Sequence, residues 1–335
     1  MSAQPAQMMS LQAAADYLGT GAIEVNDYEP VIADIVRRQS VALQRIKDVP
    51  ATGQPHRYFE QTAIATGAFG NTGGQGGSAI APTPASPTRS ERSAFVKAVV
   101  NQSNIALFDK LVTQQQKKFA AVVAQDIEDI VNGINITRAS ALWNGSDTSL
   151  TTPTTNQYVG LLTQITTQAT VASGASIIDG IKSVVAELVG QAGYVVKPSA
   201  VYVNPVLGDY IDREAKAQQI TMNEEEVAAG VKVKTLSTQA GVLPIVGDAF
   251  LPAATGAAYG FGAPPAGLKN YFAVILMEDM VEMPYVSGEQ DDPKPMLFQL
   301  GLTGNLSGQF VGVKFDCVVA KGAGYAHAVV CVQRP

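Results

Sequence analysis

Residues able to do acid–base or metal chemistry are few in this chain, and their spacing is unhelpful. Only two histidines are present, His56 and His327, and neither lies in a recognisable motif. A histidine general base or zinc site would need one of them, so both are expected to be structural or exposed. The acidic run Glu224, Glu225 and Glu226 and the group Glu289, Asp291 and Asp292 could offer oxygen ligands to a hard cation. Contiguous carboxylates without ligand spacing read more simply as solvated loops. Gly262 to Lys269 imitates a phosphate-binding loop only superficially, because Pro264 and Pro265 remove backbone N–H donors that such a cradle needs. There is no G-x-S-x-G and no H-E-x-x-H sequence. The two cysteines, Cys317 and Cys331, form no C-x-x-C pair and are expected as small buried apolar side chains of a reducing compartment. No catalytic constellation, cofactor site or metal site is expected.

Composition narrows the class further. The chain has 335 residues, 46% hydrophobic and 16% charged, which suits a folded protein with two subdomains. So little charge suggests surface covered by partners. The net charge of −6 argues against gripping nucleic acid through its phosphates. The first basic residue is Arg37, so no signal-peptide n-region is expected. The apolar stretch Ala253 to Leu268 is broken by Gly and Pro and is not expected to cross a membrane. A cytoplasm, or something assembled there, is the expected compartment.

The elements that must position these residues are more telling. Val31 to Lys47 reads as a helix ended by Pro50 and Gly53. From Gln61 to Thr88 no residue is charged, and the segment holds Gly67, Gly70, Gly73, Gly74, Gly76, Gly77, Pro82, Pro84 and Pro87. Tyr58 to Phe69 and Ala94 to Asn101 flank it as strands, which predicts an extended hairpin whose tip is ordered by something outside the subunit or by nothing. Apolar residues then recur at helical spacing from Ile105 to Ile134, a helix of roughly 45 Å. Asp126, Glu128 and Asp129 fall near the C-terminal end of that helix, where its dipole disfavours acids; a basic group from a neighbouring subunit is the expected offset. After the Thr-rich connector Thr148 to Thr155 the pattern turns α/β. Helices are expected at Ile177 to Gln191 and Pro205 to Gln218, and strands at Ala200 to Val203 and Val242 to Val246. Ile220 to Thr238 is polar, and the tail from Tyr271 onward is mostly strand.

This order of parts resembles the major capsid protein of tailed bacteriophages, the HK97-like fold, over about residues 31 to 335. Three phrases carry the local likeness: Ser140 to Gly145 after the long helix, Lys197 to Pro205 at the entry to the central domain, and Gly241 to Val246 later in it. The resemblance implies an α+β fold divided into an N-terminal arm (1–50), an E-loop (51–103), a P-domain spine helix (104–150), an A-domain (151–268) and P-domain strands (269–335). It implies a non-enzymatic subunit that self-assembles as hexamers and pentamers into an icosahedral shell around viral double-stranded DNA. Expected partners are other copies of itself, a scaffolding protein, a portal and a decoration protein, with no membrane. The expected location is the virion, with assembly in the host bacterial cytoplasm. Tyr58, Phe59, Ile64 and Phe69 are expected to contact a neighbour from the E-loop, and Glu224, Glu225 and Glu226 to sit in the A-domain loop of the capsomer. Some relatives weld subunits through an E-loop Lys; here no Lys lies between Pro50 and Phe95, so non-covalent cohesion is expected. Two other readings stay open: an encapsulin-type compartment shell, and a soluble α+β enzyme or binding protein with a protease-resistant 61–88 loop.

Overall fold

A computed structural model describes residues 40–51, 53–64, 86–106, 122–220, 222–228, 231–288, 292–303 and 307–335. Two sheets, each with helices against it, and a projecting hairpin make up this part of the chain. The short helix α1 (Val41–Arg45), capped by Ser40, leads into them.

The larger sheet has eight strands. Its main path runs β5 (Gln168–Val171), β16 (Ala328–Arg334), β11 (Lys269–Leu276), β6 (Ala200–Val203), β9 (Gly241–Gly247), β8 (Val231–Thr238) and β7 (Glu224–Ala228), with β10 (Ala253–Ala254) against β11. The central strands are buried on both faces, which is why they read as unbroken apolar runs. Tyr271, Ala273 and Ile275 point to one face and Phe272, Val274 and Leu276 to the other, as period-2 alternation requires. Helices α4 (Ile177–Val189) and α5 (Pro205–Ala217) cover the first face through Ile178, Ile181, Val185, Leu188, Leu207 and Ile211. Ser176 caps α4, and the Glu214 carboxylate from α5 accepts Ile177 N–H at 2.8 Å and Ile178 N–H at 3.1 Å. A carboxylate at a helix N-terminus satisfies otherwise orphaned donors. Asn204 caps α5, and Pro205 occupies its first turn.

The second sheet has six strands. β4 (Lys97–Ala106) pairs along its whole length with β14 (Ser307–Asp316), which pairs on its other side with β13 (Met296–Thr303) and β12 (Val281–Val286). β1 (Lys47–Pro50) runs parallel to β12, and β15 (Val319–Ala320) pairs with β12 as well. The long helix α2 (Val122–Asn144) packs on β4 and β14. Ile130, Ile134 and Leu142 are buried at four-residue spacing along it. Gly312 lets β14 approach, since a Cβ there would lie 2.5 Å from Ile130 Cγ2.

Trp143, Tyr158, Leu161, Leu162 and Ile165 fill the space between the two sheets. Gly145 and Gly160 make that junction tight: a Cβ on Gly160 would lie 2.5 Å from the Trp143 carbonyl oxygen, and one on Gly145 would lie 2.3 Å from that of Tyr158. The short helix α3 (Leu161–Gln164) follows at once.

Several expectations need correction. The strand that returns from the hairpin is β3 (Thr88–Ala94), paired with β2 (His56–Ala63), while Ala94 to Asn101 belongs mostly to β4 in another sheet. Ile105 is the penultimate residue of β4, and the helix continues to Asn144, well beyond Ile134. Within Ile220 to Thr238, Glu224 to Glu226 were expected in a loop, and they lie instead in β7 of an antiparallel hairpin, β7–β8. The Gly/Pro hairpin tip, the part of the Ile105-to-Ile134 stretch at 107–121 and the helix before Ser40 lie outside the described residues.

Candidate functional site

The hairpin β2–β3 is bolted to the body at its base and bare above it. Tyr58 alternates inward and is buried with Ala94, Cys317 and Val319. The Glu60 carboxylate accepts the Gly322 N–H at 2.8 Å. Gln54 holds both backbone groups of Val96, its Oε1 accepting from N–H at 2.9 Å and its Nε2 donating to the carbonyl at 3.0 Å. The next residue outward, Phe59, is 72% exposed, and Ile64 beyond it is 71% exposed. These are the two large apolar side chains that the described part of the hairpin exposes. Of the four hairpin residues expected to touch a neighbour, Phe59 and Ile64 are free to do so. Tyr58 is not, because its ring is committed within its own chain. Phe69 lies outside the described residues.

A buried charge cluster ties the entry segment to the helix and the sheet. Arg138, on the same stripe of α2 as Ile130, Ile134 and Leu142, donates from Nε to Asp316 at 2.6 Å and from Nη2 to Asp48 at 3.2 Å. Lys314 lies 3.7 Å from Asp48 and 3.9 Å from Asp316, and donates to the Pro293 carbonyl at 2.6 Å. The Tyr158 hydroxyl donates to the other oxygen of Asp316. Two cations thus face two carboxylates. Burial opposes the charge on Arg138, but Asp316, Tyr158 and Asp48 outweigh it and hold its pKa above the ordinary value. Two further polar ties secure the same segment: Arg45 forks onto Glu278 at 2.6 and 2.7 Å, and Ser40 donates to Asp248 at 2.5 Å. Sequence reasoning missed this cluster. Its one signal was a charged residue at four-residue spacing on an apolar helix stripe.

Lys97, the lysine nearest the hairpin on its C-terminal side, is consumed inside the subunit. Its Nζ donates to Asp147 at 2.8 Å and to the Thr155 carbonyl at 2.5 Å. Asp147 is fully buried and also accepts from Thr148 N–H at 2.8 Å and from Thr154 N–H at 3.0 Å. Burial alone would raise its pKa, but Lys97 and the Thr154 and Thr148 donors outweigh that and hold it well below the usual carboxylate range. The Thr-rich connector is therefore a loop wrapped around one carboxylate.

The acidic positions are placed differently from expectation. Asp126, Glu128 and Asp129 lie about four to five turns before the helix ends at Asn144, so they sit outside the reach of its C-terminal dipole. Partial burial and then Asp129 raise the pKa of Asp126. Glu224 lies in β7, the last strand of its sheet among the described residues, in register with Lys234 of β8. Facing opposite charges at such a pair stabilise it modestly. Lys234 also donates to Asp212 of α5 at 2.5 Å, which ties the hairpin to the helix layer. Asp292 accepts the Lys294 N–H at 3.0 Å within its own turn, and Glu289 and Asp291 lie outside the described residues. Among the described residues no group of three or more His, Cys, Asp or Glu could hold a metal ion. No helix among them is long and apolar enough to cross a membrane.

His327 is fully buried, with Nδ1 accepting the Met277 N–H at 3.2 Å and Nε2 3.1 Å from the Lys321 carbonyl. That pattern fixes the neutral Nε2–H tautomer. Burial lowers its pKa to about 4, against an ordinary value of 6.5. The stability this neutral ring contributes is present above pH 6.5 and is lost as pH falls from there through about 4, because only the unfolded chain takes up the proton. The loss approaches about 3 kcal/mol at the low end. Urea unfolding of unassembled subunits between pH 7 and 4 should show His327→Gln with a shallower pH dependence than the parent by that amount. Identical slopes would contradict the placement.

Comparison with known proteins agrees with this architecture. A model of the SU10 major capsid protein family matches residues 10–265. No curated protein sequence matches. Solved structures match over nearly the whole chain. The SrpI encapsulin complex of Synechococcus elongatus superposes with a TM-score of 0.60 at 12% identity, covering 98% of this chain and 95% of that one. A structure from Gordonia phage Cozz gives 0.61 at 13%, covering 93% and 92%. The capsid of cyanophage A-1(L) gives 0.62 at 11%, covering 94% and 98%. At such identities the likeness establishes the fold, which is HK97-like and α+β.

Proposed function

The chain belongs to the SU10 major capsid protein family, and from that membership we propose that it assembles as hexamers and pentamers into an icosahedral shell around viral double-stranded DNA. The observation that carries this reading is the hairpin. Its base is fixed by Tyr58, Glu60 and Gln54, while Phe59 and Ile64 project bare. An arm meant to lie on a neighbour would be built this way. The division proposed is an N-terminal arm to residue 50, an E-loop built on β2–β3, a P-domain of long helix and six-stranded sheet that takes β4 from the 51–103 segment, and an A-domain of the eight-stranded sheet with α4 and α5 that takes β11 and β16 from the 269–335 segment expected in the P-domain. The β7–β8 hairpin, with Glu224 to Glu226, is the A-domain element assigned to the capsomer centre. Asp126, Glu128 and Asp129, on α2, are assigned to ion pairing across a subunit boundary.

Cohesion is non-covalent in this reading. The half-buried Lys97 has its Nζ engaged by Asp147 and the Thr155 carbonyl, and no lysine lies on the hairpin. A net charge of −6 suits a wall that must not bind the packaged DNA tightly. A separate scaffolding protein, a portal and a decoration protein complete the virion, with assembly in the host bacterial cytoplasm. An encapsulin-type shell shares the fold, and the family match to capsid proteins favours the viral reading over it.

The test is to express the chain alone and with candidate scaffolds from its own genome, then image it by electron microscopy beside sedimentation velocity. Closed shells, tubes or capsomer rings are the expected result. A monomer in every combination, resistant to proteolysis across residues 61–88, would overturn it.

A further inference from the structure

The hairpin is held to the body by a seat that is mostly polar. His56, Tyr58 and Glu60 share one face of β2, and Ala94, Arg92 and Ser90 stand opposite them on β3. Of these only Tyr58 and Ala94 bring apolar surface, and they close over Cys317 and Val319. A cavity of about 510 Å³ opens beside them, lined by Tyr58, Glu60 and Arg92 of the hairpin and by Gln164, Ala320 and Tyr325 of the body. The buried Nδ1 of His56 and Oγ of Ser90 have no hydrogen-bond partner among the described residues. An unpaired buried polar atom costs free energy, and lifting the hairpin into water recovers it.

His56 stands at the root of this face. Its ring stacks on that of Tyr58, with centroids 6.2 Å apart. It faces two charges of the body, Glu282 of β12 and Lys321 of the turn after β15, and these pair with each other at 2.7 Å. Lys321 Nζ also lies over the Tyr58 ring, 5.9 Å from its centroid. Farther along the seat Glu60 and Arg92 pair at 3.4 Å, and Glu60 also accepts the Gly322 N–H. Both carboxylates at the seat therefore already have a cation, and an imidazolium would enter with no free counter-charge. Burial holds the His56 pKa below its ordinary 6.5; Glu282 pulls it up and Lys321 pushes it down. The other histidine, His327, sits on the far side of the same turn, with Nε2 3.1 Å from the Lys321 carbonyl.

We propose that His56 makes the hairpin's seat acid-sensitive: the arm is held down while the ring is neutral and is released when the ring takes up a proton. The device belongs to the single chain and goes beyond the shell-forming reading. Within that reading it sets when the arm is free. The ring binds a proton less readily when seated than in water. Its contribution to the seat is thus complete above pH 6.5 and is lost as pH falls below that value. Between about pH 7.5 and 5.5 the ordinary titrations of the facing Glu, Lys, Arg, Tyr and Cys side chains lie outside the window. His327 stays neutral there, since its pKa is about 4.

The two native thiols provide the test. Cys317 lies under Tyr58 and Ala94, so lifting the hairpin uncovers it. Cys331 is buried in β16 of the eight-stranded sheet and reports wider unfolding. The unassembled full chain is reacted with dithiodipyridine, which thiols attack even in mild acid, at about pH 7.5 and 5.5. Rates are divided by those of the urea-unfolded chain at the same pH, and the labelled cysteine is identified by peptide mass. Cys317 is expected to label about three- to tenfold faster at the lower pH, tenfold being the limit for one pH unit below 6.5. Cys331 should stay protected at both. His56→Gln should abolish the acceleration, and His56→Lys, with a permanent charge, should label rapidly at Cys317 already at the higher pH. An unchanged Cys317 rate in the parent, or the same acceleration in His56→Gln, would overturn the proposal. So would equal acceleration of both cysteines, which would place the acid response in the whole fold. None of these outcomes depends on whether the chain forms shells.

Discussion

Replacing Arg138 with methionine is expected to cost about 3–5 kcal/mol of subunit stability, the usual consequence of removing one partner from a buried ion pair. The cost arises because Asp316 has no exposure to water and, among the described residues, keeps only Lys314, at 3.9 Å, as a compensating cation. Asp48 loses its bond at 3.2 Å, so β1 is released from α2 although its pairing with β12 remains. Methionine fills most of the volume, so the effect reports charge rather than a cavity. Burial already raises the Asp316 pKa, and losing the guanidinium raises it further. The defect should therefore shrink as pH falls and Asp316 takes up a proton. Asp316→Asn in the same chain should recover much of the loss, since the amide can still accept from Tyr158. The check is a double-mutant cycle by urea unfolding of dissociated subunits at pH 7. A single-variant loss under about 1 kcal/mol, or simple additivity of the two changes, would contradict the cluster's role.

That cluster also shows why some of the molecule was legible in the sequence and some was not. Helices α4 and α5 were readable almost to the residue, because Ser176 and Asn204 are capping side chains and the apolar stripe repeats at helical period. β6 was readable because a strand buried on both faces is a plain apolar run. The hairpin's return strand was not. Thr88–Ala94 is almost wholly polar, and cross-strand pairs such as Arg57–Glu91 at 2.7 Å hold it, so its pattern resembles a loop. The apolar Phe95 to Val100 attracted the strand assignment instead, and most of it belongs to the other sheet. The start of the long helix was misread for a related reason: Ile105 continues the helical spacing of α2 backward, although it lies in β4. Its last turns were lost because Asn135, Thr137, Arg138 and Ser140 look like a polar exit. Only the fold reveals that Arg138 is buried against carboxylates 90 and 178 positions away. Ladder register and long-range charge pairing leave no local signature.

The exposed pair on the hairpin carries the largest functional expectation. Changing Phe59 and Ile64 together to serine should leave subunit stability within about 0.5 kcal/mol, because both side chains are already in water in the isolated chain. Assembly should suffer heavily. Covering a large apolar side chain contributes about 1.5–3 kcal/mol, and each 1.4 kcal/mol is about tenfold in an equilibrium constant. Removing two such side chains from every subunit boundary should raise the concentration needed for shell formation at least about a hundredfold. Tyr58→Ser is the necessary contrast. One position away, it removes a buried ring from the cluster with Ala94, Cys317 and Val319, so it should lower subunit stability by about 3 kcal/mol or more. Sedimentation across a concentration series, paired with urea unfolding of dissociated subunits, separates the two outcomes. If the double variant assembles at the parent's threshold, the hairpin does not hold a neighbour through these side chains. If Tyr58→Ser unfolds no more easily than the parent, the base of the hairpin is not anchored as described. Adjacent residues on one strand would then have failed to divide the two tasks that alternation assigns them: the inward ring fixing the arm, and the outward ring reaching the next subunit.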